Sequence, residues 1–127
     1  MKTTTTYWNP LSSIDQWEEI EGTDGHMRQI TVAEDAATGD YTRLTWFRDG
    51  YDTKAFGPKS HEYPEEIFIV SGRVYDEAFD LWLEPGSYAS RPPGEVHGPF
   101  RADGDVIVLE ISCLGQAAKP DLFSNMV

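Results

Sequence analysis

The sequence predicts a single all-β domain, an antiparallel sandwich or small barrel. Three observations carry the prediction. Short runs rich in β-branched and aromatic residues recur along the chain. Turn signals built on Gly, Pro and Asp separate them at spacings of about ten residues. No segment keeps a long helical period. At 127 residues the chain is one domain, 1–127, long enough to bury roughly two-thirds of its unfolded surface around one core.

The elements follow in order. Residues 1–12 are expected as a tail or a first edge strand, with the Thr3 to Thr6 tract at its start. Ile14 to Glu21 is the one segment with room for a helical turn or two. Strands are then expected at Met27–Ala33, Tyr41–Phe47, Ile67–Val70, Arg73–Tyr75, Ser87–Ala89 and Val106–Ile111. Between them stand Thr38-Gly39-Asp40, Arg48-Asp49-Gly50, Phe56-Gly57-Pro58, Glu84-Pro85-Gly86, Pro92-Pro93-Gly94 and Ala102-Asp103-Gly104, each a turn. Ile67, Phe68, Ile69 and Val70 are apolar on both parities, which predicts a central strand.

Ten Lys and Arg stand against 22 Asp and Glu, a net charge of −12. Such a chain repels phosphates and anionic lipid, so neither nucleic acid nor a membrane is expected as a partner. The opening MKTTTTYWNP has no apolar signal core, and no stretch approaches the ~20 apolar residues of a span. Cys113 is the single cysteine. No internal disulfide can form, and a cytoplasmic protein is the expectation. Cys113 itself reads as a small hydrophobe near a strand end.

Within this acidic chain, residues 61–72, HEYPEEIFIVSG, gather a histidine and three carboxylates at the mouth of an apolar run. Like charges so placed need a cation, a proton or solvent. His61 and Glu65 are four apart, but Pro64 disfavours a helix there. In a straight strand they would lie ~13 Å apart, too far to share an ion. They converge only if Glu62-Tyr63-Pro64 bends, with Glu65 opening the next strand aimed inward, where a carboxylate needs a partner. A second histidine, His97, follows the Pro92-Pro93-Gly94 turn at the start of a returning strand.

These residues carry a resemblance. Gly86, Pro92, Gly94 and His97 match G-x5-P-x-G-x2-H-x3-N, with Arg101 in place of the final Asn. His61, Glu65 and Gly72 match H-x-H-x3-E-x6-G, with Lys59 in place of the first His. Both are motifs of the cupin superfamily, and residues 57–112 resemble the branch that includes an anti-sigma cupin-like domain and ring- or diketone-cleaving dioxygenases. The resemblance implies a jelly-roll barrel of the RmlC-like kind. It also implies a divalent metal held by His61, Glu65 and His97, a two-histidine, one-carboxylate set associated with Fe(II) that Zn, Mn or Ni can also occupy. Lys59 cannot ligate while protonated.

Other readings stand beside this one. His61 alone reads as a loop cap, and Lys59 as a surface residue paired with Glu62. The functional reading makes Lys59 an amine facing the cavity, binding an anionic substrate or shuttling a proton. Tyr63 is a second catalytic candidate, and Arg91 and Tyr75 are substrate-binding candidates at the cavity mouth, with Tyr88 and Trp82 nearby. Glu62 and Glu66 are left to solvent or to Lys59 and Arg73. The implied activity is oxygenation of a small enol, diketone or phenolic compound. A metal-assisted isomerase, lyase or cyclase competes with it. So do a non-catalytic ligand-binding module, although no helical segment for a regulator accompanies the domain, and a barrel without metal. A homodimer is expected, because small cupins pair and an edge strand needs cover.

Overall fold

The computed structural model describes residues 7–116; the Thr3 to Thr6 tract lies outside them. Among the described residues seven strands form the fold: β1 (Glu18–Glu19), β2 (Met27–Glu34), β3 (Tyr41–Phe47), β4 (Glu65–Asp76), β5 (Leu81–Leu83), β6 (Tyr88–Arg91) and β7 (Phe100–Ser112). All pairings are antiparallel, in the order β1-β2-β3-β7-β4-β5, with β6 sharing β4's free edge with β5. Single 3-10 turns occur at Pro10–Ser12, Ile14–Gln16, Lys54–Phe56 and Leu114–Gln116. No helix among the described residues is long and apolar enough to cross a membrane.

Three differences from the sequence reading have local causes. The expected helical segment ends after Ile14–Gln16, and Glu18–Glu19 instead adds an edge strand to β2. Ile67–Val70 and Arg73–Tyr75 are not two strands but one, because Gly72 sits in a bulge inside β4 with φ +71°. A Cβ there would fall 2.1 Å from the Asp105 carbonyl oxygen, so only glycine lets β7 pass. The apolar run at the start of β4 is also buried on one face only: Ile67 and Ile69 point inward, while Phe68 and Val70 are exposed. The strand is central because both its edges are paired, not because both faces are covered.

Inward side chains sort by height along the barrel. Phe47, Ile67, Ile69, Val74, Leu83, Ala102, Val106 and Val108 form the packed core. Burying them supplies the main drive to fold, about 1.5–3 kcal/mol for each large side chain. At the other end the same inward faces carry polar residues. Arg43 is in register with Glu110, Glu110 with Ile67, and Glu65 with both Ser112 and Arg91.

Candidate metal centre

The polar end surrounds a cavity of about 400 Å³ whose far wall is the apolar core. Two segments outside the strands complete it. Lys59 and His97 exchange both backbone hydrogen bonds at 2.8 Å, and Gly94 donates its N–H to the His61 carbonyl at 2.7 Å. Residues 59–61 are thereby laid along residues 94–97. The chain then bends through Glu62 and Tyr63, Pro64 accepts from the Cys113 N–H at 3.1 Å, and Glu65 enters β4 pointing inward. That bend lets two residues four apart meet.

His61, Glu65 and His97 each offer a ligand atom, all within 4.8 Å of one another. The two imidazoles stand 5.0 Å apart, centre to centre, and His61 Nε2 lies 3.7 Å from Glu65 Oε2. Glu65 is buried, and Arg91, buried beside it, donates to Oε1 at 3.0 Å. Ser112 donates to Oε2 at 3.3 Å. One carboxylate oxygen is thus fixed by a guanidinium and the other is left toward the histidines. Burial, then the neighbouring charges of Arg91 and His61, push the His97 pKa down to about 4. His97 is therefore neutral at pH 7, the form that binds a metal. Its Nδ1 faces the Glu95 carbonyl at 3.4 Å, so the tautomer protonated there leaves Nε2 its lone pair. Two imidazoles and an anchored carboxylate suit a first-row divalent ion.

The remaining candidates separate. Lys59 lines the cavity beside His61, with Nζ 5.9 Å from the Phe56 ring centre. Tyr63 stacks on His61 at 4.9 Å; burial and a hydrogen bond to Tyr41 raise its phenol pKa well above the usual value, so it stays protonated. It orients the His61 ring and lies outside the cavity lining. Arg91 is a buried partner of Glu65 and, at 3.7 Å, of Asp76, and not a residue of the mouth. Tyr75 is on the outer face, its hydroxyl bonded to Asp80 and its ring beside Trp82 and Arg101, so a molecule in the cavity does not reach it. Tyr88 is exposed and bonded to Glu66. Arg73, expected near Glu66, pairs with Asp103 and Glu84 instead. Cys113 is half-buried.

Two lining residues escape the sequence reading. Arg43 donates Nε to Glu110 Oε2 at 2.6 Å, and both face the cavity. The available signal is parity, since Arg43 shares its face with Thr45 and Phe47, but an arginine in a strand more often points to water.

Known proteins share the fold that carries this site. No curated protein matches the sequence, but solved structures share the fold. KdgF from Halomonas sp. aligns with a TM-score of 0.65 at 17% identity, over 94% of this chain and 99% of that one. An acetylacetone dioxygenase from Acinetobacter johnsonii aligns at 0.70 and 15% identity, over 89% and 77%. The anti-sigma ChrR, in its complex with SigE from Rhodobacter sphaeroides, aligns at 0.58 and 21% identity, over 76% of this chain and 49% of that one. The family model described as the ChrR cupin-like domain matches residues 11–114. With that match spanning most of its length, the chain belongs to the ChrR cupin-like domain family, within the cupins.

Proposed function

We propose that the chain is a metal-dependent cupin that holds a divalent ion, Fe(II) foremost, with His61, Glu65 and His97, and oxygenates a small enol, diketone or phenolic compound. The observation that supports this reading is the three convergent donors, within 4.8 Å of one another, on the wall of a mostly apolar cavity. A bound ion would supply Lewis acidity and, as iron, a route for electrons. The chain's own residues do the rest. Ile67, Ile69, Phe100 and Val108 hold the carbon skeleton and keep water out. Arg91 holds Glu65, Tyr63 holds His61, and the Lys59 amine is placed to bind an anionic group or pass a proton. The likeness to an acetylacetone dioxygenase favours oxygenation by analogy of fold. An isomerase, lyase or cyclase uses the same parts without oxygen.

Oxygen uptake tests the proposal. Iron-loaded protein mixed with acetylacetone or a catechol should consume oxygen, and His97→Ala should fall to background. Metal-dependent binding of either compound without oxygen uptake would shift the assignment to the non-oxygenating alternatives.

A further inference from the structure

The cavity's charge runs against that of the chain. Among the described residues, three Lys and Arg line it: Arg43, Lys59 and Arg91. Among the described residues, Glu65 and Glu110 are the only Asp or Glu that do. Arg91 is committed between Glu65 and Asp76. Lys59 makes no ion pair among the described residues, and Arg43 gives only Nε to Glu110, leaving its two Nη groups without a hydrogen-bond partner among the described residues. These end-on donors suit a carboxylate. Arg43 on β3 and Glu65 on β4 stand on either side of β7 and line the same cavity. A ligand reaching both has chelating oxygens at one end and an acid at the other.

We propose that the cavity takes an anionic substrate, a short enolisable dicarbonyl or phenol that also bears a carboxylate, and that Arg43, assisted by Lys59, is the group that selects for the carboxylate. The inference rests on the metal reading for the chelating end of the ligand. The carboxylate end depends on Arg43 and Lys59 and not on the metal, so the two ends fail separately.

Succinylacetone, a diketone with a carboxylate tail, and its methyl ester are suitable probes. Calorimetric titration into full-length protein, zinc-loaded and metal-stripped, measures both. Wild type should bind the acid at least about tenfold tighter than the ester, in keeping with one charge-assisted hydrogen bond. Arg43→Gln should bring the ratio near unity, while Glu110→Gln, which releases Arg43 from its partner, should tighten the acid further. Equal binding of acid and ester by wild type overturns the inference, as does a ratio that survives Arg43→Gln. Should Arg43→Gln fail to fold, a Glu110→Gln variant that does not tighten the acid overturns it. Protein that takes up zinc but ignores the carboxylate refutes this inference and leaves the metal site standing. Protein that prefers the acid yet binds no metal does the reverse.

Discussion

Glu65 is buried, with only 5% of its side chain meeting solvent, and its two oxygens face different partners, Oε1 accepting from Arg91 and Oε2 lying 3.7 Å from His61 Nε2. A buried carboxylate without a partner costs free energy. Arg91 is that partner and also serves Asp76, so removing it strands two acids together. Arg91→Met, of similar length, should cost about 3–5 kcal/mol in urea unfolding of metal-stripped protein; a loss below ~1 kcal/mol would show that the trio does not carry that weight. His97 is a histidine kept neutral. Its pKa in the fold, about 4, lies below the ordinary 6.5, so between these values the unfolded chain holds more protons than the folded one. Stability is complete above about pH 6.5 and declines as pH falls toward 4. Thermal unfolding of metal-stripped protein across that range should therefore be steeper for wild type than for His97→Gln, and equal slopes would refute the assignment.

At the scale of elements, the site depends on a bend and a bulge. Pro64 and the paired backbones of Lys59 and His97 set the bend. Gly72 sets the bulge, switching which side of β4 faces in, so that Glu65, Ile67 and Ile69 before it and Val74 and Asp76 after it are all buried. Gly72→Ala meets both a left-handed φ and the Asp105 carbonyl. It should lose more than the ~1–3 kcal/mol of backbone strain alone, measured by urea unfolding, and a loss under 1 kcal/mol would place the bulge elsewhere. This bulge also marks how far the sequence can be read. Strand positions are legible from β-branched runs between turns, although the turn expected at Ala102-Asp103-Gly104 lies inside β7, and the set His61, Glu65 and His97 comes from its likeness to the two cupin motifs. The joining of two runs across Gly72 is not legible, because a glycine between strands reads as a turn whether or not a partner strand passes it. Leu81–Leu83 is too short to stand out. The cavity faces of Arg43 and Glu110, and the outer face of Tyr75, escape because parity gives alternation without saying which side is inside.

For the molecule as a whole, an acidic chain folds into a barrel that packs apolar side chains at one end and collects two of its three histidines and a share of its cations at the other. That division gives the cavity an apolar wall and a ligand-bearing rim. A metal that binds only the folded barrel stabilises it by mass action, so chelation should lower the unfolding temperature. The most direct test of the centre is metal content by elemental analysis of protein purified without a metal-affinity tag, wild type beside His97→Ala. Wild type should carry close to one divalent ion per chain and a folded His97→Ala close to none. Equal metal in the two proteins, or none in wild type after incubation with Fe(II) or Zn(II), would contradict the assignment of His61, Glu65 and His97 as ligands.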